Sequence, residues 1–299
     1  MHVQDKDAVV VTGVSTGIGL AIAEQFLKNG YIVFGSVRRP GDADLLQEKW
    51  PSTFHPLIFD VTDEIGAVDA ARKVEQILAG RRLAGLINNA GISVAGPLAF
   101  QPINQIRNTF EVNVFGLLSV TRAFLPLLGG REGYDGRPGR IINIGSTSGA
   151  ITVPFMGAYS ASKHAVEALT QGLRRELRIY GIHVCAVEPG FIKSNLIQKT
   201  VSARPDELYQ DSPYASLWRT FSKYLVEQEG TGKSPSLVTR AVIHAIQSDV
   251  PRTRYPLDSV WLIGRLLSDR AFDALIFRKI GLRELLTGKK ATASAARNV

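Results

Sequence analysis

The chain alternates short, unbroken apolar runs with longer segments in which apolar residues recur every three or four positions. The short runs have the length of buried strands, and the longer segments have the period of helices that pack along one face. The pattern predicts six strands, over residues 8–12, 31–37, 57–60, 83–88, 140–145 and 183–188.

Between these strands the pattern predicts helices over residues 18–29, 64–78, 104–128 and 157–180. Strands that alternate with helices form a parallel sheet with helices on both faces, because each parallel connection must cross the sheet. The fold class predicted from the pattern is therefore α/β.

The alternation breaks at three places. Residues 129–139 are rich in glycine, arginine and proline, as in a surface loop. Residues from about 194 to 236 form a long insertion rich in aromatic residues. Residues 286–299 are small and polar, so we expect a disordered tail after one domain over residues 1–285.

Composition excludes some classes of protein. With 299 residues, of which 45% are hydrophobic, the chain can bury one large core. The single cysteine, Cys185, has no disulfide partner in the chain, which favours a reducing, cytoplasmic location. The polar start does not resemble a signal peptide, and no uncharged apolar stretch approaches the ~20 residues of a membrane-spanning helix.

The net charge is +8, and much of the excess lies late in the chain. A nucleic-acid-binding surface would combine a basic stripe with interleaved aromatic residues or a known motif, and the sequence shows neither. The five histidines have no spacing typical of metal ligands. We therefore expect neither a nucleic-acid partner nor a metal site.

A glycine-rich turn joins the first predicted strand to the first predicted helix. Glycines here permit a tight turn, and the free N–H groups at the start of the helix bind phosphate. Such a turn at the start of a strand–helix–strand unit indicates a dinucleotide site. The residues expected to contact the cofactor are Gly13, Ser15, Thr16, Gly17, Ile18 and Gly19.

The second predicted strand ends at Val37 and is followed by Arg38 and Arg39. An acidic side chain here would bind the ribose hydroxyls of NAD, whereas a guanidinium group binds a phosphate. We therefore expect NADP rather than NAD, with Arg38 on the 2′-phosphate and Arg39 assisting. Two solvated arginines at a strand end are the alternative.

The third and fourth predicted strands end in polar residues at the same edge of the sheet. Ligands of α/β proteins bind beyond the carboxyl ends of the strands, so these residues are expected in the cofactor site. They are Asp60, Val61, Asn89, Ala90 and Gly91.

Tyr159 and Lys163 lie four residues apart on a predicted helix, so their side chains share one face. A tyrosine normally titrates near a pKa of roughly 10, and a nearby cation lowers that value by favouring the phenolate. The pair therefore has the composition of a tuned acid–base catalyst, although such pairs are also common on ordinary helix surfaces.

Taken in order, the motifs resemble those of the short-chain dehydrogenase/reductase family over about residues 8–250. Residues 12–19 match its TGxxxGxG turn, residues 88–91 its NNAG, and Tyr159 and Lys163 its YxxxK. Asn113 and Ser146 match its catalytic asparagine and serine. The resemblance implies a single Rossmann-type doubly wound domain with a mainly parallel, seven-stranded sheet.

The resemblance also implies roles for these residues. Tyr159 would be the general acid or base, Lys163 would lower its pKa and hold the nicotinamide ribose, and Ser146 would hydrogen-bond the substrate oxygen. Asn113 would hold a water in a proton relay. The contacts that follow the sixth strand would be Pro189, Gly190, Ile192 and Ser194. The last of these is more often threonine in the family, and serine retains the hydroxyl.

Within the family, residues 31–38 and 251–256 resemble the 17β-hydroxysteroid and retinol dehydrogenase-like subgroup. This implies an apolar alcohol or ketone as substrate, and the helices over 104–128 and 157–180 imply a homodimer or homotetramer. The insertion over about residues 194–236 lies where the family has its substrate lid, and its aromatic residues either suit such a substrate or pack the insertion onto the core. The apolar face within residues 260–276 belongs to the core or a subunit contact, or else it shields the pocket or touches a membrane peripherally.

The sequence thus predicts an NADP(H)-dependent oxidoreductase that transfers a hydride between nicotinamide and a carbonyl or secondary alcohol. Three other functions are compatible with parts of the sequence: a non-catalytic nucleotide-binding regulator on this fold, a sugar-nucleotide epimerase or dehydratase, and a basic lipid- or membrane-binding protein. The complete catalytic set argues against the first, and the chain length and the spacing of the glycine turn argue against the second. Liposome flotation tests the third.

Overall fold

This computed structural model describes residues 7–194 and 206–282, and within them seven strands form one sheet. The strands are β1 (Ala8–Val11), β2 (Ile32–Val37), β3 (Phe54–Ile58), β4 (Leu83–Asn88), β5 (Arg140–Ile144), β6 (His183–Glu188) and β7 (Arg254–Pro256). All neighbours pair in parallel in the order β3-β2-β1-β4-β5-β6-β7. This order confirms the predicted Rossmann-type, doubly wound, seven-stranded sheet.

Helices cover both faces of the sheet. They are α1 (Gly17–Lys28), α2 (Asp44–Lys49), α3 (Glu64–Leu78), α4 (Ile103–Phe110), α5 (Leu117–Phe124), α6 (Gly157–Glu176), α7 (Ala215–Gly230), α8 (Ser236–Gln247), α9 (Val260–Leu266) and α10 (Asp269–Lys279). Because side chains alternate along a strand, Val9 and Val11 of β1 belong to the core beneath α1 and α8, whereas Val10 belongs to the core beneath α3 and α5. Burial on both faces explains why β1 is apolar throughout.

The structure corrects the start of the third predicted strand and adds a seventh strand to the six predicted from the pattern. The third strand begins at Phe54 rather than residue 57, because His55 and Pro56 break the apolar run without breaking the pairing with β2. Proline is tolerated there since β3 lies at the edge of the sheet. The seventh strand has only three residues, too few to show a period.

The helix predicted over residues 104–128 is continuous but not uniform. A π-helical turn, Glu111–Gly116, separates α4 from α5, and a short 3₁₀ turn, Leu125–Leu128, follows. The whole stretch Ile103–Leu128 is long and apolar enough to cross a membrane by length and composition alone. Its residues Val120 and Phe124 are fully buried in the core beneath the sheet, which is the placement of a core helix.

A third cluster of apolar residues closes one end of the sheet. Tyr209, Trp218 and Phe221 of the insertion pack there with Phe155 and with Ile276 of α10. Of the two roles expected for the aromatic residues of the insertion, packing onto the core is therefore the one that these three rings have. The rest of the insertion, residues 195–205, and the predicted tail, residues 286–299, lie outside the described residues.

Candidate active site

A cavity of about 740 Å³ lies at the carboxyl ends of β1, β4, β5 and β6. The strand order reverses between β1 and β4, and ligands of α/β proteins bind at such a point. The cavity is lined by nearly every site residue predicted from the sequence: Gly13, Ser15, Thr16, Gly17, Ile18, Gly19, Arg38, Asp60, Val61, Asn89, Ala90, Gly91, Ser146, Tyr159, Lys163, Pro189, Gly190, Ile192 and Ser194. Two predicted residues, Arg39 and Asn113, do not line it.

The glycine-rich turn has the geometry of a phosphate cradle. Gly13 and Gly17 have φ of 73° and 64°, in the left-handed region that favours glycine. A Cβ on Gly19 would lie 2.1 Å from the carbonyl oxygen of Gly13, so no side chain fits there. Because α1 begins at Gly17 on the cavity wall, the N–H groups of its first turn are available to a diphosphate.

Thr12 and Asn89 hold the turn in place. The Thr12 hydroxyl accepts hydrogen bonds from the N–H groups of Asn89 and Ala90, both at 2.9 Å. The Asn89 side-chain amide donates to the carbonyl oxygens of Thr12 and Gly13 at 2.9 and 3.1 Å. The Asn89 side-chain amide thus joins the end of β4 to the turn after β1, a role that the sequence did not reveal.

At the adenosine end of the cavity, Arg38 and Arg39 have different surroundings. Arg38 is exposed, lines the cavity and forms no ion pair with any described residue, so its guanidinium group is available to a phosphate. Arg39 instead pairs with Asp42 at 2.9 Å, and its side chain is 81% exposed. The helper role expected for Arg39 is therefore not supported. Ser36, missed by the sequence, lines the cavity and accepts a hydrogen bond from the Gly13 N–H at 3.0 Å.

Ser146, Tyr159 and Lys163 meet on one wall of this cavity. Helix α6 presents the phenol and the ammonium on the same face, with Lys163 Nζ 5.9 Å from the centroid of the Tyr159 ring. Lys163 Nζ donates to the carbonyl oxygen of Ile144 at the end of β5, at 2.9 Å. The hydroxyl of Ser146, two residues further on, hydrogen-bonds the phenol.

Burial controls the protonation of both groups. Burial raises the pKa of Tyr159, and the hydrogen bond with Ser146 opposes that effect. The lowering of the Tyr159 pKa expected from Lys163 therefore does not outweigh burial. Burial also lowers the pKa of Lys163 to about 8, and the nearby Glu167 carboxylate opposes it. At neutral pH the phenol is consequently protonated, and most of the lysine is an ammonium ion.

Asn113 lies behind the cavity wall, in the π-helical turn, where it is buried. Its Oδ1 accepts from the N–H of Ile92 at 2.8 Å, and its Nδ2 donates to the carbonyl oxygen of Ile92 at 2.9 Å and to Ser162 Oγ at 3.0 Å. The side chain therefore connects the segment after β4 with α6, next to the Tyr159 turn. π-Turns within α-helices are frequent at functional sites, and this one aims the amide inward.

Part of the cavity lining is apolar. Met156 and Phe191 line the cavity together with Ser146, Tyr159 and Lys163, and α7 and the C-terminal helical segment also contribute. The apolar residues from those helices are Tyr224, Leu225, Val260, Ile276 and Ile280, and the polar Gln228, Glu229, Lys233, Asp258 and Lys279 line the cavity beside them. The apolar face predicted within residues 260–276 thus shields the pocket in part. In the sequence, only the aromatic insertion and the apolar residues spaced along residues 260–276 indicated this wall.

A family model described as short chain dehydrogenase matches residues 7–205. This chain belongs to the short-chain dehydrogenase family. An NADPH-dependent 3-dehydrocapnine reductase of Ornithobacterium rhinotracheale is 39% identical to it over 275 residues, 91% of this chain and 96% of that protein. Retinol dehydrogenase 16 of Mus musculus is 32% identical over 267 residues, 85% of this chain and 81% of that protein.

A solved structure supports the same family. The structure of a short-chain dehydrogenase from Streptomyces avermitilis matches with a TM-score of 0.72 and 28% identity, covering 92% of this chain and 97% of that chain. The oxidoreductase class and the likeness to retinol dehydrogenase-like enzymes, both expected from the motifs, are thereby confirmed. In this dehydrogenase, no group of three or more His, Cys, Asp or Glu side chains comes together among the described residues.

Proposed function

We propose that this dehydrogenase is an NADPH-dependent reductase of a lipid-like ketone, acting reversibly on the corresponding secondary alcohol. One observation carries the proposal: the Ser146–Tyr159–Lys163 cluster lies in a single cavity between a phosphate cradle and an apolar wall. A cofactor bound along the cradle and a substrate bound along the wall would meet at Tyr159.

The proton chemistry follows from the state of these groups. When bound, NADPH supplies the hydride to the carbonyl carbon. Tyr159, whose pKa burial raises, is a neutral phenol at working pH and donates the proton to the developing alkoxide. Ser146 hydrogen-bonds that oxygen as its charge grows, and the Lys163 ammonium stabilises the phenolate left behind. The water relay assigned to Asn113 would return the proton from solvent.

The choice of NADP rests on Arg38. Its exposed guanidinium group lines the adenosine end of the cavity and has no carboxylate partner among the described residues. A guanidinium group suits the 2′-phosphate in charge and geometry. The similarity to an NADPH-dependent reductase supports the same cofactor.

The lipid-like substrate rests on the apolar wall. Met156, Phe191, Leu225, Val260, Ile276 and Ile280 line it without a side-chain hydrogen-bonding group, which suits a hydrocarbon, and polar side chains such as Gln228, Lys233 and Asp258 line the cavity beside them. The similarity to a retinol dehydrogenase and to the 3-dehydrocapnine reductase points in the same direction. The test is NADPH oxidation by panels of long-chain, steroid, retinoid and quinone carbonyls, with small polar ketones as controls. Turnover of only the polar ketones would contradict the proposal.

We also infer a cytoplasmic homodimer or homotetramer. Ile103 of α4, Phe115 of the π-turn and Ile179 after α6 are exposed, at 60, 54 and 82%. Large apolar side chains on adjoining helices suit burial between subunits. Light scattering of the purified protein would detect a dimer or tetramer, and a monomer at all concentrations would contradict this inference.

A further inference from the structure

A buried group of charged side chains lies behind Lys163, and none of its members lines the cavity. Glu167 of α6 and Glu188 of β6 are 5 and 0% exposed. Arg254 of β7 contacts both, with Nη2 2.6 Å from Glu167 Oε2 and Nη1 3.1 Å from Glu188 Oε1. The indole N–H of Trp261 donates to Glu188 Oε1 at 2.9 Å.

Arg254 bridges the two buried carboxyls, so both depend on a single guanidinium group. Two ionised carboxylates that share one site repel each other, and only a protonated carboxyl can donate a hydrogen bond to the other. Burial, followed by the neighbouring Glu167 charge, raises the pKa of Glu188 to about 7. The shorter contact of Arg254 is with Glu167. Glu188 therefore takes the proton, and Glu167 keeps the negative charge.

Glu167 acts on Lys163 from the same helix, one turn further on. Lys163 is faced by Tyr159 and Glu167 of α6 and by the Ile144 carbonyl at the end of β5. Glu167 in turn contacts Arg254 of β7, which also contacts Glu188 of β6. Of these charges, that of Glu167 favours the ammonium form of Lys163 against burial.

Glu167 also lies against the segment that carries Ser146. A Cβ on Gly145 would lie 2.9 Å from Glu167 Oε1, and a Cβ on Gly149 would lie 3.0 Å from Glu167 Cγ. The Glu167 side chain thus packs against both glycines that flank residues 146–148. It is therefore in contact with the segment that carries Ser146 and lies one helical turn from Lys163.

We propose that Glu167 is a positioning residue that keeps Lys163 an ammonium ion during turnover, and that Glu188 keeps Glu167 ionised by holding their shared proton. This rests on the proposed role of Lys163. Without the Glu167 charge, a buried lysine loses its proton at lower pH, and the neutral amine no longer stabilises the Tyr159 phenolate. The alkaline limit of activity therefore reports on Glu167.

The experiment compares two isosteric variants, Glu167→Gln and Glu188→Gln, in kcat–pH profiles from about pH 6 to about pH 10. Glu167→Gln should move the alkaline limb about one unit towards acid, since it removes the favourable charge. Glu188→Gln should leave the limb within about 0.3 units of wild type, because its amide donates to Glu167 as the shared proton does. Thermal melting checks that both variants fold.

A readout that needs no turnover separates this proposal from the proposed function. NADPH affinity is measured by fluorescence across the same pH range. As the pH rises, the affinity should begin to fall at a lower pH in Glu167→Gln than in wild type, because the Lys163 ammonium would hold the nicotinamide ribose. If wild type binds NADPH but reduces no carbonyl, the proposed function fails while this test still stands.

The proposal is overturned if Glu167→Gln lowers kcat equally at every pH or leaves the alkaline limb of the kcat–pH profile unchanged. It is also overturned if the alkaline limb shifts equally in both variants. If Glu167→Gln is not recovered as folded protein, Glu167→Met removes the same charge without burying an unpaired amide and should shift the limb in the same direction. Failure of both to fold would assign the carboxylate to the fold alone and would also overturn the proposal.

Discussion

At the scale of single residues, Tyr159 is the proposed proton donor. Phenylalanine preserves its ring packing and removes only the hydroxyl. We expect Tyr159→Phe to change NADPH affinity by no more than about twofold and to lower kcat by at least about 100-fold, since it removes the proton donor. Fluorescence titration and steady-state kinetics measure the two quantities. Substantial retained turnover would refute the assignment.

The two adjacent arginines form a matched pair for testing cofactor choice. Arg38 lines the cavity, whereas Arg39 is paired with Asp42 outside it. We expect Arg38→Ala to raise the KM for NADPH by about 10- to 100-fold, the loss of a charge-assisted hydrogen bond, and to leave NADH kinetics nearly unchanged. Arg39→Ala should change neither by more than about twofold. Equal effects of the two variants would remove Arg38 from the 2′-phosphate.

At the scale of elements, α7 both packs the third cluster and supplies part of the substrate wall. Trp218 is 2% exposed, with its ring 5.2 Å from that of Tyr209, while Tyr224 on the same helix lines the cavity. We expect Trp218→Ala to destabilise the protein by about 3–5 kcal/mol and to raise the KM for an apolar ketone more than that for NADPH. Denaturant unfolding and kinetics measure these effects.

The control for this element is Trp50, half-buried at the end of α2 and away from the cavity. Trp50→Ala should cost less stability, because less surface is buried, and should leave the ketone KM unchanged. A similar rise of the ketone KM in both variants would show that it follows lost stability rather than the wall.

At the scale of the whole molecule, apolar side chains are exposed beside the substrate end of the cavity. Leu262 and Leu266 of α9 and Leu275 of α10 are 54, 74 and 44% exposed, and Arg270 and Lys279 lie on the same helical segment. A lipid-like substrate dissolves in membranes, so peripheral docking here would bring it to the cavity. Basic and apolar groups together favour an anionic lipid surface.

We therefore expect the protein to float with phosphatidylserine-containing liposomes and to be released by ~0.5 M salt, which screens the charges. The double variant Leu266→Ser/Leu275→Ser should lose flotation. Leu45→Ser, at a residue of α2 that is 82% exposed, should keep it. If the double variant still floats with the liposomes, any membrane contact lies elsewhere on the protein.

The local motifs of this protein were predictable from its sequence. The boundaries of α3, β4 and β6 and the glycine-rich turn follow from short-range periodicity and from backbone positions that only glycine fits. The helical period places Tyr159 and Lys163 on one face, and the resemblance to the family implies their catalytic role. Such features involve neighbours in the chain, so their geometry is implied by spacing.

Contacts between distant segments required the tertiary structure. Glu167, Glu188 and Arg254 meet only because α6, β6 and β7 are adjacent, and Arg254 lies 87 residues from Glu167 and 66 from Glu188. The wall formed by α7 and α10 likewise leaves no period in the sequence. The sequence determined the fold class and the helix face that Tyr159 and Lys163 share, because both depend on local spacing, and the family resemblance supplied the proposed roles of the reacting groups. The tertiary structure decided the burial and charge around those groups, because pKa values depend on what is near in space.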